Sequence, residues 1–220
     1  MQEGGGYPEN LKDVKCAVKW LREHADAYGL DATRIISDGE SAGGHLSLML
    51  AVTGHRADLD PSECGTASSA VQGAVSYSGV GDVYAVDTTG ATVGVGTNYA
   101  APCTTPLTSC DVGRSCNRCN DASPQAHVCA PGVPPVLIVH APETYDTLVL
   151  TSQGRNLHAA FRDAGVNATL AIAPIPSLID GGCLANQPAG TFQAHGWVPC
   201  LERATFDEVM AFIRPRLAPQ

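Results

Sequence analysis

The 220-residue chain is short of positive charge, of aromatic side chains and of long apolar runs. Lysine and arginine number 13 against 22 aspartates and glutamates, a formal net charge of −9, and no basic cluster stands out. Such a surface repels phosphate backbones and anionic lipid headgroups, so nucleic acid and anionic membranes are poor partners. No apolar run reaches the ~18 residues that a membrane-spanning helix needs. Charged residues make up 16% and hydrophobic residues 44%, the balance of a globular chain with a lightly charged surface. At this length a single domain over residues 1–220, with a substantial core, is the natural expectation.

Cysteine is the opposite case. Nine are present, with Cys103, Cys110, Cys116, Cys119 and Cys129 crowded into one segment and Cys183 and Cys200 flanking another. Cys116-x-x-Cys119 has the local spacing of a zinc site, but no second pair matches it and His127 is the only nearby histidine. Disulfides are the favoured reading over a metal, which implies secretion or another oxidising compartment. An odd count leaves at least one thiol free, and Cys16, inside a predicted helix, is the candidate. Asn167-Ala168-Thr169 is a glycosylation sequon and agrees only weakly. Met1 to Tyr7 shows no charged start followed by an apolar core, so no secretory leader is read there.

The most informative stretch is residues 34–50. A short apolar run, Ile35 and Ile36, leads into Gly39-Glu40-Ser41-Ala42-Gly43, and a helical spacing of Leu46, Met49 and Leu50 follows. Strand, tight turn and helix are the context in which G-x-S-x-G means a nucleophile elbow. The strained turn projects a serine hydroxyl from the sheet rim, and glycines two residues either side let neighbouring backbones pass. The Ala42 amide, opening the new helix, would point where an oxyanion forms.

Around this stretch, periodicity places helices and strands in alternation. Residues 10–28 form an amphipathic helix through Val14, Ala17, Val18 and Leu21, with Asn10 as its cap, Gly29 as its stop and Trp20 packed in the core. Strands are predicted at 34–37, 72–78, 136–140 and 168–173, and helices at 42–52, 152–164 (Leu157, Ala160 and Phe161 inward) and 206–217 (Phe206, Val209, Met210, Ile213). Alternation of this kind means a mostly parallel, doubly wound α/β sheet. From Gly79 to Asp121 periodicity is lost, and a Cys-rich excursion over about 80–130 is expected to act as an insertion or cap-like loop.

Gly-Glu-Ser-Ala-Gly-Gly-His-Leu, with Leu11 to Arg22 and Gly29 to Ile35 before it, resembles the α/β-hydrolase fold. The similarity is greatest to the esterase and lipase branch that includes hormone-sensitive-lipase-like and feruloyl-esterase-like enzymes. It resumes at Ala122-Ser123-Pro124, at Pro134 to His140 and at Ala164 to Leu170. It implies hydrolysis of a small carboxylic ester by a Ser, Asp, His triad in that chain order, without metal or organic cofactor. Ser41 is then the nucleophile. The acid belongs in the loop after 136–140, where Asp146-Thr-Leu-Val matches the family's Asp-x-x-Val with two extra residues before it; Glu143 is the reserve. The base should follow the strand ending near Ala173, and His195 is the only histidine there. A Cys183–Cys200 bridge would fix its loop. Glu40 and Trp197 are candidate substrate contacts. His45 should support the turn, His140 should be buried structure, and His24, His55, His127 and His158 read as surface or loop residues.

One family feature is out of place. The His-Gly-Gly-Gly segment that supplies a second oxyanion donor lies upstream in the family, whereas Gly4-Gly5-Gly6 here directly precedes the Tyr7-Pro8 that opens the first helix. The fold is therefore expected to be N-terminally shortened, with the elbow strand at an open edge that an upstream segment or a second copy would cover. A non-catalytic relic acting as a binding module, or a serine peptidase of the same fold, is the alternative function.

Overall fold

The computed structural model describes residues 6–83, 121–129, 132–142, 146, 148–173 and 203–217. Its centre is a parallel sheet of four strands in the order β1-β2-β3-β4. These are β1 (Ile36–Glu40), β2 (Gly73–Tyr77), β3 (Val136–His140) and β4 (Ala168–Ile172). Helices are α1 (Glu9–Glu23), α2 (Ala25–Tyr28), α3 (Ala42–Val52), α4 (Thr151–Asp163) and α5 (Arg203–Leu217). The sheet is in register at its carboxyl end, where Glu40 aligns with Tyr77 and Tyr77 with Val139. Among the described residues β1 pairs only with β2.

Strands β2 and β3 are buried along their whole length. That explains why neither carries an aspartate, glutamate, lysine or arginine, since a central parallel strand is covered on both faces. Alternate residues divide the core. Ala74, Val136 and Ile138 pack with Leu11 and Val18 of α1, Leu48, Met49 and Val52 of α3, and Leu157 and Phe161 of α4. Val75, Tyr77, Leu137, Val139 and Ala171 pack on the other face with Val209 and Phe212 of α5. Helices on both faces make the sheet doubly wound, as expected.

Helix α1 departs from its predicted face. Its buried residues are Leu11, Lys15, Val18 and Lys19, while Trp20 is 45% exposed and stacks on His24 instead of entering the core. The lysine stems are apolar, and each ammonium finds carbonyls from a distant loop. Lys15 Nζ donates to Thr53 O at 2.7 Å, and Lys19 Nζ donates to Pro61 O and Gly65 O. The helix also breaks at His24, earlier than predicted, and α2 ends at Gly29 with φ 64°. In α5 likewise the buried row is Thr205, Val209 and Phe212, with Phe206 exposed.

Cys16 is not a free thiol. It is bonded to Cys64, 48 residues away, at the end of a short 3-10 turn (Ser62–Cys64). The loop-entropy relation puts the stabilisation from closing a loop of that size at about 4 kcal/mol. The bond joins Lys15 and Lys19 in fastening residues 53–65 to α1. Cys129 is also disulfide-bonded. Cys103, Cys110, Cys116, Cys119, Cys183 and Cys200, with the pairing and zinc readings placed on them, lie outside the described residues.

Lys15 sets a pH dependence. Burial outweighs the attraction of Asp60 and pulls its pKa down to about 8. An unfolded lysine titrates near ~10.4, so the cost of holding the charge is fully present below pH 8 and disappears as the pH rises beyond it. The neutral amine still donates to Thr53. The melting temperature of the protein minus that of Lys15→Met should therefore grow between about pH 8 and pH 10; a constant difference contradicts the assignment.

Candidate active site

Between β1 and α3 the chain turns on one residue. Ser41 has φ 56° and ψ −117°, a conformation that costs a side-chain-bearing residue about 1–3 kcal/mol. Two hydrogen bonds hold it. The Ser41 amide donates to Tyr77 O at 2.9 Å, and the His45 amide donates to Ser41 O at 2.9 Å. The first fastens the turn to β2 and the second starts the helix. Helix α3 is buried almost throughout from Gly44 to Val52. Leu48, Met49 and Val52 each contribute about 1.5–3 kcal/mol by burial, so packing outweighs the strain.

The glycines divide their work differently from the motif's symmetry. A Cβ on Gly39 would lie 2.4 Å from the Gly43 carbonyl carbon, so the strand and helix backbones touch there. Gly43 itself faces open space. Gly44 is the crowded one: its Cβ would lie 2.9 Å from Ser76 Oγ and 3.0 Å from the Gly39 and Tyr77 carbonyl oxygens. Gly79, in the loop after β2, would meet Ser76 Oγ at 2.2 Å and Gly44 C at 2.7 Å. Ser76 thus fills the space beneath the elbow and admits only hydrogen on either side. The Gly43-Gly44 doublet was the one sequence signal for this contact.

Asp146 follows β3. Its carboxylate is fully buried, and Oδ1 accepts the amides of Leu148 at 3.0 Å and Val149 at 2.9 Å. Thr151 Oγ1 donates to Ala141 O at 2.6 Å and closes the same turn onto the strand end. Ser41 and Asp146 therefore stand on one rim, at the carboxyl ends of β1 and β3. Two inter-strand spacings, about 10 Å, separate those strands. Ala42 is the first residue of α3 and is exposed. Glu40 precedes the turn and is half-buried; by strand alternation it lies on the side of α5, opposite α3. Glu143, His195 and Trp197 lie outside the described residues.

Nearby histidines have structural partners. His45 is buried in α3, and Nε2 donates to Ala122 O at 2.7 Å. Burial pushes its pKa down, which keeps the ring neutral. His140 ends β3 fully buried, with Gly154 of α4 against its ring. His127 is less of a surface residue than its loop suggested: it is largely buried, bonds Asp121 O at 2.9 Å, and has its pKa lowered by burial. Asp121 also accepts Tyr7 Oη at 2.6 Å and Arg56 Nη1 at 2.9 Å, tying the residues just before α1 and the loop after α3 to this segment.

Residues 2–161 match the family model described as BD-FAE. Esterase LipQ of Mycobacterium tuberculosis is 32% identical over 176 residues, which is 78% of this chain and 38% of LipQ. From the same organism, the probable carboxylic ester hydrolase LipM is 32% identical over 154 residues, 68% of this chain and 32% of its own. The chain thus spans about a third of the length of these relatives. The structure of Thermogutta terrifontis esterase 2 phosphorylated by paraoxon superposes with a TM-score of 0.64 at 23% identity, over 96% of this chain and 66% of that one. That likeness shows the fold, of α/β-hydrolase type.

The glycine contacts make a sharp prediction. Gly39→Ala sets a methyl against backbone that cannot move, and should abolish folding or lower the melting temperature severely. Gly43→Ala adds a methyl in open space on a helix, where alanine is favoured over glycine by about 1 kcal/mol. Its melting temperature should equal or exceed that of the parent. Similar melting of the two variants would show the elbow to be packed otherwise.

Proposed function

Given that the chain belongs to the BD-FAE family of α/β-hydrolase proteins, we propose that it hydrolyses small carboxylic esters through an acyl-enzyme on Ser41. The carrying observation is the strained backbone of Ser41 at the β1–α3 junction. A serine is kept at such a cost where its hydroxyl must stand clear of the sheet.

A serine hydroxyl needs a base to take its proton, and the base needs a carboxylate to hold its tautomer. In this mechanism His195 is the base and Asp146 the acid. Two amide donors on Oδ1 fix the direction of the Asp146 carboxylate, and its burial strengthens its bond to an imidazole. Ser41 Oγ attacks the ester carbonyl as its proton passes to His195. The Ala42 amide, at the positive end of α3, stabilises the oxyanion. The alcohol leaves with the proton from His195, and water then releases the acid by the same steps. Glu40 and Trp197 are proposed to contact substrate. The names of the relatives, an esterase and a probable carboxylic ester hydrolase, support the same chemistry. The Cys16–Cys64 disulfide supports an oxidising compartment for the protein.

A fluorophosphonate probe tests the reading directly. Folded protein should be labelled once, at Ser41, and Ser41→Ala should abolish both labelling and turnover of p-nitrophenyl esters. Asp146→Asn should lower kcat by about 10⁴-fold, the cost of the wrong imidazole tautomer, and Glu143→Gln should not. Folded protein that resists the probe would instead favour a binding module.

A further inference from the structure

We infer that Gln153 is a positioning residue: its carboxamide locks the loop beside the nucleophile elbow to the turn that carries Asp146. The inference rests on the hydrolase reading, which alone gives that spacing a chemical task.

Gln153 lies in the first turn of α4, seven residues after Asp146, and is buried. It uses both ends of its amide on another element. Oε1 accepts the Gly81 amide at 3.0 Å and the Asp82 amide at 2.8 Å. Nε2 donates to Asp82 O at 3.0 Å. These groups belong to the loop after β2, more than 70 residues away in the chain. Gln153 thus serves three backbone groups, and no other common side chain offers that set from this distance: glutamate lacks the donor, asparagine is a methylene short, and leucine leaves all three without the bond.

The loop continues the elbow's support. Tyr77, whose carbonyl holds the Ser41 amide, is followed by Ser78 at φ 44° and by Gly79, packed against Gly44 and the His45 amide. Gly81 then presses on Leu157 of α4, where a Cβ would come within 3.0 Å. On its far side the loop is held by Ser123 Oγ to the Val83 amide at 2.9 Å and by Gly81 O to the Gln125 amide at 3.0 Å. A continuous set of contacts therefore runs from the first turn of α3, through Gly79 to Asp82, into Gln153. From there the chain itself leads back to the Asp146 turn, with the Gln153 backbone amide on Leu150 O at 2.9 Å next to the Val149 amide that Asp146 accepts. The last bond between β2 and β3 is the Ser78 amide on Val139 O at 2.9 Å, and beyond it the contacts of Gly79 to Asp82 take over from strand pairing.

The test uses the full chain with Gln153→Leu and Gln153→Glu, and with Leu11→Ala on α1 as a stability control. Ester turnover should fall about 10²-fold in kcat, the scale of a small misplacement of reacting groups, with KM little changed. Leu11→Ala should retain kcat while it melts earlier. Amide exchange is read in parallel. Protection in Gln153→Leu should fall together at 79–83, at Ala42 to His45 and at Leu148 to Val149. If Gln153→Leu does not fold, Gln153→Glu, which keeps volume and acceptor, carries the comparison. A kcat equal to that of Leu11→Ala, or exchange loosened at 79–83 alone, overturns the inference. Wild-type protein without ester turnover would defeat the hydrolase reading separately, and the exchange pattern would still decide the coupling.

Discussion

Ser41 keeps its unfavourable backbone because its amide reaches the Tyr77 carbonyl while β1 and α3 close on either side. Everything near the rim is arranged around that bond. Gly39 and Gly44 remove side chains where the strand, the helix and β2 come together, and Ser76 fills what remains beneath them. The buried apolar residues of α3 supply the free energy. A cost of about 1–3 kcal/mol for one strained residue is small beside several side chains worth about 1.5–3 kcal/mol each. The turn is therefore an enforced feature of the packing, which is what a fixed hydroxyl requires.

Elements whose causes are local were legible in the sequence. Helix α3 and strand β3 have the limits that periodicity and composition indicated, because a run such as Val136 to His140 has no polar residue to expose before its end. The elbow was legible for the same reason: glycine spacing, strand and helix all lie within 17 residues. What depended on distant partners was not. Lys15 and Lys19 look like solvent-facing residues until carbonyls at positions 53, 61 and 65 are folded onto them. Trp20 gave way on the buried face for that reason. Cys16 drew its partner from the same distant loop.

The candidate site divides along the same line. Ser41, Ala42 and Glu40 could be placed from one motif, and Asp146 from a match that tolerates two extra residues. Nothing in the sequence singled out Gln153, since a glutamine in a first helical turn is ordinary until its partners at 81 and 82 are known. Glu143, His195 and Trp197 fall outside the described residues, so their roles rest on chain order and on the family. The structure places Ser41 and Asp146 at the carboxyl ends of β1 and β3, on one rim.

The central claim is that the Ser41 turn presents a hydroxyl for attack beside a carboxylate-held imidazole. A crystal structure of the protein after reaction with paraoxon would test it most directly. The account predicts a phosphoryl group on Ser41 Oγ, its oxygen on the Ala42 amide, and the His195 ring between Ser41 and the Asp146 carboxylate. A phosphoryl group on another residue, or an Asp146 carboxylate bonded to no imidazole, would contradict it.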